Sequence, residues 1–163
     1  MAITRAKKET LLSGLKDILS KASSLVFVNF KGLTVHEGNE LRAALKKGGV
    51  KYQVVKKTLL KRALLEKKYE GDMPDLPGEV ALAYLSEGDD QTAPAREINP
   101  FVGKLAGKLV FLGGVFESRY LTQSETQTIA SIPPTPVLRG MFVNIINSPI
   151  QRFAIALNEV AKK

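Results

Sequence analysis

Residues 25–64, LVFVNFKGLTVHEGNELRAALKKGGVKYQVVKKTLLKRAL, decide the fold. The run Leu25-Val26-Phe27-Val28-Asn29-Phe30 is too short for a helix and rich in β-branched and aromatic side chains, which predicts a buried strand. Thr34 and Glu37 have the spacing of a capping box, in which the hydroxyl and the carboxylate each satisfy an orphan amide at a helix start. The helix that they open is expected to stop at Gly48 and Gly49. Val50 to Lys56 alternates as a second strand, with Tyr52 and Val54 on one face and Lys51, Gln53 and Val55 on the other. A further helix is expected from Lys57 to Lys68. Strand, helix and strand at this spacing read as a crossover unit, which predicts parallel pairing of the two strands with helices packed on the sheet.

Upstream of this stretch, Thr4 can cap a first helix in which Leu11, Leu15, Ile18 and Ala22 recur at helical spacing and Lys7, Lys8, Lys16 and Lys21 take polar positions. Downstream, the loop Gly71 to Glu79 leads into a second strand-helix-strand half. A strand is expected over Val80–Leu85 and a weaker helix over Gln91–Leu105, interrupted by Pro100. Another strand is expected over Leu109–Phe116, broken by Gly113 and Gly114. Thr122 and Glu125 form another capping box, opening a short helix that ends near Ser131. Pro133, Pro134 and Pro136 disfavour helix and stiffen the chain, so a boundary is placed there. The expected organisation is an α/β domain, an α+β sandwich, over residues 1–132, a Pro-rich hinge over 133–136 and an extended C-terminal helix over 137–163. Thr135 can cap that last helix and Pro136 can occupy its first turn.

Charge is distributed unevenly along the 163 residues. Residues 1–70 hold 16 Lys and Arg against 6 Asp and Glu, whereas residues 71–163 hold 8 against 10. Basicity confined to one segment points to a footprint for phosphates, with Lys-rich solvated helix faces as the plainer alternative. The sequence has no Cys, which excludes disulfides and thiolate metal sites and fits a reducing cytosol. The N-terminus MAITRAKKET lacks the apolar core of a secretory signal. No window reaches the run of about 18 apolar residues that a membrane span needs.

The basic segment is resolvable into individual contacts. Lys57 and Lys61 lie one helical turn apart and Lys68 returns to the same face, so a row of ammonium groups is expected along that helix. Arg62 can grip a phosphate with both guanidinium nitrogens. Gly32 can let a backbone approach RNA closely or can simply be a turn glycine. Tyr52 can stack on a base, but the alternation assigns it to the core with Val54.

From Val137 to Ala161 the charged side chains are Arg139, Arg152 and Glu159, while apolar residues crowd almost every face. Phe142-Val143-Asn144-Ile145-Ile146-Asn147 is echoed by Phe153-Ala154-Ile155-Ala156-Leu157-Asn158 at an offset of 11 residues. Eleven residues are about three helical turns, so the anchors return to nearly one face, as if a surface were offered twice to copies of one partner. Pro149, between the copies, should kink the helix. A terminal helix docked on the chain's own core is the alternative. A membrane-interface helix fits less well, because the tail lacks a Lys-rich polar face.

No enzyme motif is present. The single histidine, His36, sits in a first helical turn, Asp89 and Asp90 adjoin no second ligand cluster, and Gly113-Gly114 lacks the Lys and Ser or Thr of a phosphate loop. No nucleophile, metal cluster, cofactor site or small-molecule site is expected.

The run FKGLTVHEGNELRAALKKGGVKYQVVKKTLLKRAL resembles the signature of the bacterial large-subunit ribosomal protein number ten family, the base of the ribosomal stalk. The similarity spans nearly the whole chain, from MAITRAKKE through Gly113-Gly114-Val115 to the tail SPIQRFAIALNEVAKK. The resemblance implies a domain that binds large-subunit ribosomal RNA where translational GTPases act, beside ribosomal protein number eleven. Its motif carries the RNA-binding role onto Lys31, Gly32, Thr34, Arg42, Lys56, Lys57, Thr58, Lys61 and Arg62. It implies, too, that the C-terminal helix holds dimers of the acidic stalk protein through Met141, Phe142, Ile145, Ile146, Ile150, Phe153, Leu157 and Val160. Two recognisable repeats imply two dimers. The chain departs from the pattern at Lys57, where the family often has Asn, and at Gly78-Glu79-Val80, where Gly-Pro-Thr is common. Beside this stands a reading from another class, a cytosolic adaptor whose basic face binds an acidic protein and whose tail oligomerises. A steep salt dependence of binding to structured RNA separates the two.

Overall fold

Alternating strand and helix patterns, each with one apolar face, resolve into a sheet with helices on both sides. The computed structural model describes residues 5–67, 69–85, 90–105 and 107–162, side chains of Arg5 and Ala6 excepted. Thr4, expected to cap α1, Lys68, expected to extend the basic row, and Asp89, expected to adjoin no ligand cluster, lie outside the described residues. The chain order is α1 (Arg5–Lys21), β1 (Ser24–Phe30), α2 (Val35–Lys47), β2 (Val50–Val55), α3 (Lys57–Lys67), β3 (Val80–Leu85), α4 (Ala93–Lys104), β4 (Leu109–Phe116), β5 (Arg119–Leu121), α5 (Gln123–Ala130) and α6 (Thr135–Ala161). Backbone contacts divide it into two units, Met1–Ile132 and Pro133–Lys163.

In the first unit the sheet order among the described residues is β2-β3-β1-β4-β5, and every pairing is antiparallel. The expected parallel pairing of β1 with β2 is therefore incorrect. Both strands are antiparallel to β3, so they do run in the same direction, but β3 lies between them. A crossover helix fixes relative direction, not adjacency, and β1 is left with two neighbours of its own, β3 and β4. With both edges paired and both faces covered, β1 is buried from Ser24 to Val28. That continuous apolar run is the pattern usually associated with parallel strands.

Two cores flank the sheet. On one face Phe27, Leu82 and Val115 pack with Leu15 and Leu19 of α1 and with Leu59, Leu60, Ala63 and Leu64 of α3. On the other, Val26, Val28, Ala83 and Phe111 pack with Leu41 and Leu45 of α2, Ile98 of α4 and Ala130 of α5. The α1 stripe is shifted from the expected one: Leu19 is buried, whereas Leu11 is 39% exposed. α4 runs through Pro100 without a break.

β4 is not broken at its glycines. The register with β1 passes from Phe27↔Gly113 to Val28↔Phe111, which makes Leu112 the extra residue of a β-bulge. At Gly113 (φ +151°) a Cβ would lie 2.6 Å from the Leu121 carbonyl oxygen, and at Gly114 it would lie 2.6 Å from that of Leu25. The two glycines thus admit close approach of the neighbouring strands. β5, which the sequence reading lacks, pairs with β4 across Glu117 and Ser118, both at positive φ (48° and 67°). Neither residue is the Asn or Gly that normally announces such a hairpin turn.

In the second unit, α6 is one helix of 27 residues with Pro149 inside it. Pro134, in extended conformation, is its N-cap, and no side chain caps it. Thr135 is therefore not the expected cap: it and Pro136 are already helical. Among the described residues no single helix is long and apolar enough to cross a membrane.

Candidate nucleic-acid interface

Because β1 and β2 run in the same direction, their C-terminal residues Phe30 and Val55 emerge at one end of the sheet, where α2 and α3 begin. The connection after β1 turns at Gly32, whose φ of +71° suits glycine. A Cβ there would meet nothing within 4 Å, so conformation rather than space selects it. The Lys31 amide donates to the Lys108 carbonyl at 2.8 Å and ties this loop to the entry of β4.

Thr34 and Glu37 form both halves of the expected capping box. Glu37 Oε2 accepts from the Thr34 amide at 2.7 Å and from its hydroxyl at 2.9 Å, while Oε1 meets Lys108 Nζ at 2.7 Å. The Lys108 ammonium, followed by the Thr34 amide and hydroxyl, holds the Glu37 carboxyl at about 2, well below its usual range. The amide end of α2 is thus already closed by a carboxylate of this chain. α3 begins without any acidic residue in its first turn.

Two open hollows meet at this end and share Phe30 and Val54. The larger, about 700 Å³, is lined by Val55, Lys56, Lys57 and Thr58 on one side and Gly78, Glu79 and Val80 on the other. Asn29 Nδ2 donates to the Pro77 carbonyl at 3.1 Å and pins that second wall. The smaller, about 190 Å³, is lined by Leu33, Thr34, Val35, Gly38, Leu41, Arg42 and Tyr52.

The structure accordingly gathers Thr34, Arg42, Lys56, Lys57 and Thr58 around one pair of hollows. Lys31 and Gly32 sit in the loop beside them. Lys61 and Arg62 lie one turn further along α3, exposed and outside both hollows. Among the described residues none of Lys31, Arg42, Lys56, Lys57, Lys61 and Arg62 is in an ion pair, whereas Lys16, Arg96, Lys108 and Arg119 are held by carboxylates. Tyr52 packs on the α2 side of the sheet, and burial pushes its hydroxyl up to about 12, which fits a core role. His36 is exposed and, among the described residues, meets Glu40, one turn away on α2, at 3.1 Å.

Sequence reasoning missed the apolar lining of the hollows, Phe30, Val35 and Val54, and the anchoring Lys108. Lys108 reaches Glu37 across 71 positions, which no local pattern reveals. Val54 had a signal, since it shares a face with Tyr52, but strand alternation does not tell that Val54 stays 49% exposed.

α6 carries a second set of exposed groups. Its large apolar side chains from Val137 to Val160 are 40–74% exposed. At about 100° per residue, Phe142, Ile146, Phe153, Leu157 and Val160 fall within about 60° of one another and Ile150 adjoins that stripe, while Ile145 lies about 60° and Met141 about 100° beyond its other edge.

The family model described as Ribosomal protein L10 matches residues 3–102. The large ribosomal subunit protein uL10 of Clostridium tetani is 34% identical over 159 residues, 98% of this chain and 91% of that protein. That of Lactobacillus johnsonii is 33% identical over 156 residues, 96% and 93% of the two chains. That of Staphylococcus aureus is 35% identical over 162 residues, 99% and 95%. With a family model covering more than half of its length and relatives matched almost end to end, the chain belongs to the ribosomal protein L10 family and is a structural constituent of the large ribosomal subunit rather than an enzyme.

Proposed function

We propose that the first unit fastens the chain to large-subunit ribosomal RNA at the end of the sheet where β1 and β2 emerge, beside ribosomal protein number eleven. The second unit holds dimers of the acidic stalk protein. The observation that carries the RNA reading is the convergence, on that one end, of cations outside any ion pair among the described residues. Lys31, Lys56, Lys57, Lys61 and Arg62 neutralise phosphates, with Arg42 on the α2 side. Gly32 and Thr34 shape the loop between them, and Thr58 opens α3. Contacts of this kind set affinity, and the folded shape of the RNA sets the choice of site.

Exposed apolar residues on α6 support the second half of the reading. Met141, Phe142, Ile145, Ile146, Ile150, Phe153, Leu157 and Val160, open to water over about half of the helix circumference, await partners. Residues 133–136 serve as a Pro-rich hinge between an RNA clamp and an arm, residues 137–163, that raises the local concentration of factor-recruiting proteins by tethering. The work is done in the cytoplasm, within the ribosome.

Copurification at low salt tests both halves, using the full chain and a chain ending at Ser131. Large-subunit RNA with both, and an acidic dimeric protein with the full chain alone, is the expected result. Loss of RNA on removing the tail, or no RNA with either, would replace the RNA clamp by a protein adaptor.

A further inference from the structure

The end of the sheet assigned to RNA is not uniformly cationic. It carries apolar side chains too: Phe30 and Val54 line both hollows and Val35 lines the smaller one. Val35 is 82% and Val54 49% exposed, although both sit beside a core that buries comparable side chains completely. Flexible lysines alone would bind phosphates without needing such side chains. An apolar recess rimmed by Lys56, Lys57 and Arg42, with Glu79 on the wall facing the lysines, fits a ligand that is flat and apolar in its middle and anionic on its Lys56, Lys57 and Arg42 sides.

Resting on the RNA reading above, we propose that this recess receives an unstacked base of the ribosomal RNA. The base lies against Phe30 and Val54, and its flanking phosphates are held by Lys56 and Lys57 on one side and Arg42 on the other. A hollow of about 700 Å³ lies within the size range of small-molecule sites, so a nucleotide fits it. The asymmetry of the two helix starts orders the strand. The start of α2 is closed by Glu37, whereas α3 begins without an acidic residue, so the phosphate nearest a helix end lies at Lys56–Thr58. Single-stranded RNA with splayed bases, rather than duplex, is the form such a recess reads.

The test uses the full chain with a large-subunit RNA fragment and the variant Val35→Ser/Val54→Ser. Both residues are exposed and the substitutions leave every charge in place; thermal unfolding verifies that the fold is kept. The variant should bind the fragment about tenfold more weakly with an unchanged slope of log affinity against log salt. A 2-aminopurine scan of unpaired positions should find a base whose fluorescence changes on binding the parent chain and not the variant. Undiminished affinity of this variant, alongside weakened binding by Lys57→Ala/Lys61→Ala, would overturn the base recess and leave the RNA reading standing. Retained RNA binding with loss of a copurifying protein would assign the recess to that protein instead. Failure of the parent chain to bind RNA saturably would sink both readings.

Discussion

Lys57 and Lys61 share the exposed face of α3, one turn apart, and neither is in an ion pair among the described residues. Each phosphate left without its cation lowers the salt slope by about 0.7 to 0.9, so Lys57→Ala/Lys61→Ala should weaken RNA binding strongly and flatten the slope by about 1.5. Filter binding between low and moderate salt reads this directly; an unchanged slope would move the phosphate-binding residues elsewhere. Glu37 gives a pH signature. Its carboxyl is lowered from 4.5 to about 2, so the stability it contributes is fully present above pH 4.5 and is lost as pH falls toward 2. Glu37→Gln should abolish that part of the acid dependence of unfolding, and carbon NMR titration of the parent should show the low midpoint. Thr34→Ala removes the hydroxyl half of the same cap and should cost about 1 kcal/mol in urea unfolding at pH 7. Local spacing is enough to find both capping boxes, since each is an interaction across three residues. Lys108, which does most to hold the Glu37 charge, is invisible to such spacing because its partner is remote in sequence.

Among the elements, the strands separate what sequence reveals from what it hides. The periodicity of β1, β2, β3 and β4 locates each of them, because burial of alternate or successive side chains writes itself into the sequence. Neighbour relations do not: β3 enters between β1 and β2, and β1 ends between β3 and β4, through pairings that depend on residues far downstream. Glycine lowers strand propensity, so the glycines of β4 read as a break, yet they mark the place where Leu25 and Leu121 press closest. Gly114→Ala forces a methyl against the Leu25 carbonyl, and the strand must shift at a cost of about 1 to 3 kcal/mol. Urea unfolding of the chain ending at Ser131 measures this; an unchanged midpoint would mean that β1 and β4 are not held in this register. In the β4–β5 turn the effect runs the other way. Ser118→Gly relieves a side chain at φ 67° and should raise stability by a few tenths to about 1 kcal/mol.

For the molecule as a whole, the boundary between units falls where the prolines cluster, and the two parts use their apolar residues differently. The first unit buries them in two cores, while α6 leaves them open. If the 11-residue repeat reflects two docking segments, native mass spectrometry of the full chain with the acidic stalk protein should give two dimers per chain; one or three would refute that count. Phe142→Ala or Phe153→Ala should each remove one dimer and leave RNA binding intact. The apolar lining of Phe30, Val35 and Val54 escapes a sequence reading for a reason of the same scale. Which side chains stay uncovered depends on how far each helix reaches over the sheet, and that is set by assembly of the whole unit. The antiparallel sheet also has a consequence for the birth of the chain. The cationic residues 31–62 leave the peptidyl transferase centre first, but β1 finds its neighbours only in residues 80–84 and 109–116. If those cations bind phosphates as proposed, a nascent chain carries them for dozens of codons before the frame that aims them can close. Affinity for RNA should rise abruptly, not gradually, once β4 through Phe116 has cleared the exit tunnel, and a series of stalled chains of increasing length would time that step.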